Sequence, residues 1–274
     1  HFRNFIVGDI RDEKLINEAT HKIEVIVHLA AHTSVIGSVI DSKKDCDINI
    51  IGTLNLLRAC TKNSVRRFIF ASSNAAVGAH EPPINEEKIP SPLSPYGASK
   101  LACEGYCSAF YKTFGVKTII LRFSNVYGPY SVHKSSVVAK FIKTCLNGKS
   151  LTIYGDGTQT RDFVYADDIC NAIILCITKK DIAGEIFQIG TGIEIRIIDL
   201  AQRIISISGK NIGIGFKPSR KGEIFRNFSD IKKSKKLLGY RPMLMLDEGL
   251  KLTYKWFKSL DRNIIAESKE VGDE

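Results

Sequence analysis

Phe68-Ile69-Phe70-Ala71-Ser72-Ser73-Asn74 joins four apolar residues directly to two small hydroxyls and an amide. A run this short and this apolar suits a strand covered by helices on both faces. The surrounding chain repeats the pattern: residues 5–7, 25–30 and 118–123 are further apolar runs, and segments of helical length, 12–20, 45–62 and 96–114, lie between them. The middle segment places Ile50, Leu54 and Leu57 along one face, as a crossover helix would. These features predict an α/β fold built on a doubly wound parallel sheet. In such sheets ligands gather beyond the carboxyl ends of the strands, which is where Ser72 and Ser73 stand.

Past about residue 130 the rhythm loosens. A helix is predicted over 137–146, a strand over 151–154, a Gly-Asp-Gly turn, and a strand over 161–164. Helices 167–178, 197–207 and 247–259 and strands 185–189 and 212–216 follow, some of them returning to the first lobe. The expected organisation is a larger domain over 1–130 and a smaller C-terminal α/β lobe over 131–274.

The chain's 274 residues allow one or two domains with a substantial core. With 44% hydrophobic and 25% charged residues and a mean hydropathy near zero, neither a disordered tail nor a membrane bundle fits. No apolar run reaches membrane-spanning length and no signal-peptide pattern opens the chain, so a cytoplasmic location is expected. The net charge of +10 is spread along the sequence rather than gathered with aromatics, which suits an anionic small substrate better than nucleic acid. One dense cluster, Lys232, Lys233, Lys235 and Lys236, follows Asp230 and precedes Gly239, and reads as the solvated face of a capped helix. The seven cysteines are scattered and form no CxxC, so neither a disulfide framework nor a metal site is expected.

A tyrosine four residues before a lysine on a helix puts phenol and ammonium on one face, where the cation favours phenolate and lowers a pKa otherwise near 10. Three such pairs occur: Tyr96/Lys100, Tyr130/Lys134 and Tyr254/Lys258. Tyr130 follows Gly128-Pro129 in a loop, and Tyr254 sits beside Trp256 and Phe257 in an amphipathic segment. Both are read as incidental. Tyr96 follows Ser94-Pro95, an N-cap and a first-turn proline, so the helix dipole also favours an anion there. Ser73 and Tyr96 together predict general-base chemistry at the sheet's ligand edge.

The ordered landmarks are Gly8-Asp9-Ile10-Arg11-Asp12, His28-Leu29-Ala30-Ala31, Asn49-Ile50-Ile51-Gly52-Thr53-Leu54, Ala71-Ser72-Ser73, Pro95-Tyr96-Gly97-Ala98-Ser99-Lys100, Leu121-Arg122-Phe123-Ser124-Asn125-Val126-Tyr127-Gly128-Pro129 and Arg161-Asp162-Phe163-Val164. In this set the chain resembles, over nearly its whole length, the extended short-chain dehydrogenase/reductases, specifically the nucleotide-sugar epimerase and dehydratase branch typified by UDP-glucose 4-epimerase. The resemblance implies a Rossmann-like domain with NAD as cofactor and a UDP-sugar as substrate. It implies Asp9 and Ile10 at the adenine, and Leu29, Ala30, Ala31 and Thr33 along the diphosphate and ribose, with Asn49 and Phe123 in the same pocket. Lys100 would bond the nicotinamide ribose and tune Tyr96. Ser73 would hold the sugar C4 hydroxyl while Tyr96 takes its proton and hydride leaves C4. Asn74, Asn125, Thr152, Tyr154, Arg161, Arg220 and Glu223 match substrate-holding positions; the two arginines suit a diphosphate, since guanidinium offers a planar fork of donors. Family members are commonly homodimers through two helices per subunit, here 45–62 and 96–114.

Departures from the family pattern select the reaction. Dehydratases and decarboxylases of this family place acidic residues after the active-site hydroxyl; here Asn74 and Ala75 stand there, which favours 4-epimerisation over a 4,6-dehydratase or 4-ketoreductase reading. Val77 replaces the family's usual tyrosine before Gly78. The Gly-rich turn that cradles the cofactor pyrophosphate is absent from the sequence. The GxG pairs Gly155/Gly157, Gly190/Gly192 and Gly213/Gly215 are read as turns. The chain opens on His1 and enters an apolar run almost at once, so the expectation is a fragment lacking roughly 45–60 residues of strand, helix and strand. Such a fragment would bind NAD poorly and expose an unpaired sheet edge. Were the chain complete, a non-catalytic nucleotide-sugar-binding protein would be the competing reading.

Overall fold

The computed structural model describes residues 4–219 and 224–261. In chain order the elements are α1 (Glu13–Ala19), β1 (Val25–His28), α2 (Val35–Ile40), α3 (Ser42–Cys46), a π-helical turn (Asp47–Ile51), α4 (Gly52–Lys62), β2 (Arg67–Ser73), a 3-10 turn (Asn74–Ala76), α5 (Pro95–Phe114), β3 (Lys117–Phe123) and β4 (Asn125–Tyr127). Then come α6 (Val137–Leu146), β5 (Leu151–Tyr154), β6 (Thr160–Arg161), β7 (Phe163–Tyr165), α7 (Ala166–Thr178), β8 (Ile186–Ile189), β9 (Ile195–Arg196), α8 (Ile197–Ser208), β10 (Ile214–Lys217), a second π-helical turn (Ser234–Leu238) and α9 (Leu246–Lys258).

The main sheet is parallel throughout, in the order β1-β2-β3-β8. Two apolar clusters sandwich it. Leu57, Phe68, Phe70, Cys103, Cys107 and Ile120 pack on one face, and Ile69, Ile119, Leu121, Ala172, Phe187 and Tyr240 on the other. The alternation along β2 sends Phe68 and Phe70 to one side and Ile69 to the other, so these three are buried, Ala71 half-buried, and the apolar stretch shows no polar face. A third cluster (Phe141, Ile142, Leu151, Ile153, Leu200, Ile204, Leu250 and Phe257) forms the core of the second lobe around the parallel pair β5–β10.

Residues 5–7, expected as a strand, are not one: Phe5 and Val7 are largely exposed. A strand needs a ladder partner for its backbone groups, and β1, at the sheet edge, pairs only with β2 among the described residues. The Gly213/Gly215 pair is also not a turn, because Gly215 lies within β10 and pairs with Thr152. Gly155, Gly157 and Gly192 do adopt positive φ. The short elements α2, β4 and β9 escaped the sequence reading. The lysine cluster, expected as a helix capped by Asp230, lies instead at the π-helical turn 234–238, which has no side-chain N-cap; Asp230 Oδ1 accepts the Lys232 N–H at 2.9 Å, Lys233 pairs with Glu185, and Gly239 closes the end at φ 78°.

Candidate active site

The carboxyl end of β2 delivers Ser73, which pairs in register with Phe123 of β3. Ser73 caps the 3-10 turn that follows, its Oγ accepting the Ala75 N–H at 3.2 Å, so its own proton remains free to donate. Ser94 caps α5 by accepting the Gly97 N–H at 3.1 Å, with Pro95 in the first turn. The Tyr96 N–H, one of the helix's unpaired terminal donors, is satisfied by Ser38 Oγ at 3.0 Å. Gly97 sets the spacing, because a Cβ there would overlap the Ala75 carbonyl. Without it the first turn of α5 presses against the turn after Ser73, and the Ser73 hydroxyl comes near enough to the Tyr96 phenol to act on its titration. Lys100, one helical turn on and only 4% exposed, donates from Nζ to the Ala71 carbonyl at 2.8 Å and lies 5.9 Å from the Tyr96 ring centroid. The three groups predicted to act together therefore share one place. The other two Tyr/Lys pairs do not: Tyr130 is exposed against Trp256, and Tyr254 is buried in the second core.

The electrostatics correct one expectation. Tyr96 titrates above its ordinary value, not below it: burial raises it most, the Ser73 hydrogen bond pulls it back, and the Asp45 carboxylate raises it further. The Lys100 ammonium does not reverse this, since its hydrogen bond goes to the Ala71 carbonyl rather than to the phenol. Burial also pushes Lys100 down to about 8.

On the cofactor side, the loop after β1 is held by Asn49. Its Oδ1 accepts the His32 N–H at 2.8 Å, and its Nδ2 donates to the His32 carbonyl at 3.0 Å, to Asp45 Oδ1 at 3.1 Å and to Ser99 Oγ at 3.0 Å. Ser99 in turn donates to the Tyr96 carbonyl at 2.9 Å. Leu29, Ala30 and Thr33 are left exposed, Ala31 half-buried, and Lys134 Nζ reaches Thr33 Oγ1 at 2.9 Å. Asp9 grips Arg11 at 2.6 to 3.1 Å, which holds its carboxyl down at about 2. Ile10 covers the bare face of Gly52. An exposed backbone loop fastened to the catalytic helix fits the nicotinamide-ribose end of a dinucleotide; a glycine-rich diphosphate cradle is not among the described residues.

Of the residues expected to hold the substrate, Asn125 is exposed on β4, and Thr152 and Tyr154 share the half-exposed face of β5. Arg161 is half-buried, with Nη1 donating to the Thr160 carbonyl at 2.7 Å. Asn74 is placed differently from the expectation. Its side chain is buried, with Nδ2 shared between Asn227 Oδ1 at 3.2 Å and Ser229 Oγ at 2.9 Å. Arg220 and Glu223 lie outside the described residues.

Three supports were missed in the sequence. Asp162, fully buried, accepts from Thr191, Gly192, Ser124 and Ser229, tying the exits of β3 and β8 together. Glu104 and Arg122 form a buried two-pronged pair beneath Ser72, at 2.9 and 2.6 Å. Asp45 and His32 meet at 3.2 Å. Only Glu104 carried a signal, four residues after Lys100 and so on the same helical face.

Residues 1–190 match the model of the NAD dependent epimerase/dehydratase family. A putative UDP-glucose 4-epimerase of Methanocaldococcus jannaschii is 38% identical over 267 residues, 94% of this chain and 85% of the relative. The crystal structure of UDP-glucose 4-epimerase from Thermotoga maritima with UDP-glucose matches with TM-score 0.89 at 38% identity, covering 93% of this chain and 84% of that one. The UDP-glucuronic acid 4-epimerase of Bacillus cereus, in complex with UDP-glucuronic acid and NAD, matches with TM-score 0.88 at 36% identity, covering 93% and 81%. On its fold, its Ser73, Tyr96 and Lys100 cluster, and these matches, the chain belongs to the NAD-dependent epimerase/dehydratase family of short-chain dehydrogenase/reductase enzymes.

Proposed function

We propose that the protein is an NAD-dependent 4-epimerase acting on a UDP-sugar, with the cofactor on the 1–130 lobe and the nucleotide sugar held mainly by the 131–274 lobe. The observation that carries this reading is the meeting of Ser73, Tyr96 and Lys100 at the carboxyl edge of the sheet, with Asn74 and Ala75 where elimination would need an acid and a base. The chemistry NAD supplies when bound is reversible hydride acceptance, through which the sugar C4 passes via a ketone and inverts with no net redox change. Ser73, beside Tyr96 and with its oxygen engaged by the Ala75 amide, orients the C4 hydroxyl. Tyr96 takes the hydroxyl proton and gives it back. Lys100 lends positive charge to the phenolate and reaches for the nicotinamide ribose. Asn49 holds the loop bearing Leu29, Ala30, Ala31 and Thr33, and Asn125, Thr152, Tyr154 and Arg161, with Arg220 and Glu223, grip the nucleotide diphosphate and sugar.

A homodimer through the helical segments 45–62 and 96–114 fits the exposed Ile51 and Tyr106 on them. No described helix is long and apolar enough to cross a membrane, and a cytoplasmic location is part of the same proposal.

The test is conversion of UDP-glucose and UDP-N-acetylglucosamine with NAD, followed by proton NMR at C4. A product of unchanged mass and inverted C4 is expected, lost in Tyr96→Phe. Loss of water, a change in oxidation level, or full activity in Tyr96→Phe would each overturn the reading.

A further inference from the structure

Asp45 is a buried carboxylate, 1% exposed, to which the chemistry above gives no role. It lies on α3, which packs against α5, the helix carrying Tyr96 and Lys100. Its Oδ1 meets His32 Nδ1 at 3.2 Å and accepts from Asn49 Nδ2 at 3.1 Å, whereas its Oδ2 has no hydrogen-bond partner among the described residues. No lysine or arginine pairs with it among the described contacts.

The charges around Lys100 can be taken in turn. On its own helix, Tyr96 is a phenol held above its ordinary range, and Cys103 and Cys107 are thiols raised by burial, Cys103 to about 11. From β1, His28 is held at about 3 by burial and by Lys100 itself, and is neutral. The Glu104 carboxyl is engaged by the Arg122 guanidinium of β3, which grips both its oxygens at 2.9 and 2.6 Å. That leaves Asp45: its helix α3 packs against α5, and the Asn49 amide that donates to it at 3.1 Å also donates at 3.0 Å to Ser99, the residue before Lys100, while no Lys or Arg pairs with Asp45 among the described residues.

We propose that Asp45 is a positioning residue: it is the buried counter-charge that keeps Lys100 an ammonium, while its bonds to Asn49 and His32 lock the loop after β1 to the same helix. The catalytic consequence rests on the reading that Lys100 serves Tyr96 and the cofactor ribose, but the charge relation does not depend on it.

The decisive variant is Asp45→Asn, which keeps an acceptor for His32 and Asn49 and removes only the charge. The chain is produced with carbon-13 at the lysine ε position, Lys100 is assigned with Lys100→Arg, and its resonance is titrated by NMR. Removing an opposite charge from the neighbourhood of a buried ammonium lowers its pKa, so Asp45→Asn should titrate Lys100 lower, by about one pH unit. At pH 8 the ammonium fraction then falls from about a half to about a tenth, roughly fivefold. Asp47→Asn, removing a more exposed carboxylate paired with Lys43, should leave Lys100 unmoved. Asp45→Ser replaces the amide variant should that fail to fold. Coincident Lys100 titrations in wild type and either neutral Asp45 variant would overturn the proposal, as would an equal shift in Asp47→Asn. In turnover, the kcat deficit of Asp45→Asn should widen from pH 6 to pH 9 with KM little changed; a deficit flat with pH means a merely structural role. A lowered Lys100 titration in a chain that epimerises nothing would uphold Asp45 and refute the proposed reaction instead.

Discussion

Removing the charge of Glu104 tests whether the floor of the active site is a compensated ion pair. The Glu104 and Arg122 side chains are 3% and 2% exposed. Arg122 Nε and Nη2 donate to the two carboxylate oxygens at 2.9 and 2.6 Å, and Ser72 Oγ donates to Oε1 at 2.5 Å. Glu104→Gln keeps the shape but turns an amide NH2 toward guanidinium donors, leaving a buried cation without its partner. Breaking one side of such a pair costs about 3–5 kcal/mol. Over 274 residues, at about 2.1 cal/mol/K per residue, the unfolding entropy is about 0.6 kcal/mol/K, so Tm should fall by about 5–9 °C. Replacing both partners, Glu104→Leu with Arg122→Met, removes the uncompensated charge and should cost clearly less than the two single changes summed. The assay is thermal and urea unfolding by circular dichroism at pH 7 for all three variants and wild type. A single-variant cost under about 1 kcal/mol, or strict additivity in the double variant, would refute the argument that the pair is held by mutual compensation.

Two further outcomes follow from the same geometry. Lys100 is depressed from 10.5 to about 8, so the folded state carries a disfavoured buried ammonium below pH 8 and sheds its proton before the unfolded state does. Stability should therefore rise with pH between about 8 and 10.5, by about 3 kcal/mol relative to Lys100→Met, from 2.5 units at 1.36 kcal/mol each; urea unfolding across that window showing no relative gain would contradict the burial argument. Gly97→Ala should separate Ser73 from Tyr96, since the added methyl meets the Ala75 carbonyl; kcat should fall at least tenfold while the fold persists by circular dichroism, and unchanged turnover would show that the close approach is dispensable.

What lay open in the sequence was whatever depends on neighbours along the chain. The all-apolar run before Ser72 announced a strand buried on both faces, Ser94-Pro95 announced the start of α5, and a spacing of four put Tyr96 and Lys100 on one side of it, because helix and strand periods and caps are local. Residues 5–7 show where this stops. Their composition suits a strand, yet a strand exists only when another offers it a ladder, and that is not a local property.

The titration of Tyr96 and Lys100 was likewise decided in three dimensions. Spacing alone argued for a phenol pulled down by its lysine, but desolvation grows with everything packed around a group, and α2, α3, β2 and β3 all pack against α5. The inward turn of Asn74, the bond of Lys100 to Ala71, the Glu104–Arg122 pair and the contacts of Asp45 with His32 and Asn49 join residues up to 155 positions apart. The sequence alone determined which chemical groups were present and on which local elements; the tertiary structure alone decided which charges met and which were left uncancelled, because burial and Coulomb energy depend on distance in space and not on separation along the chain.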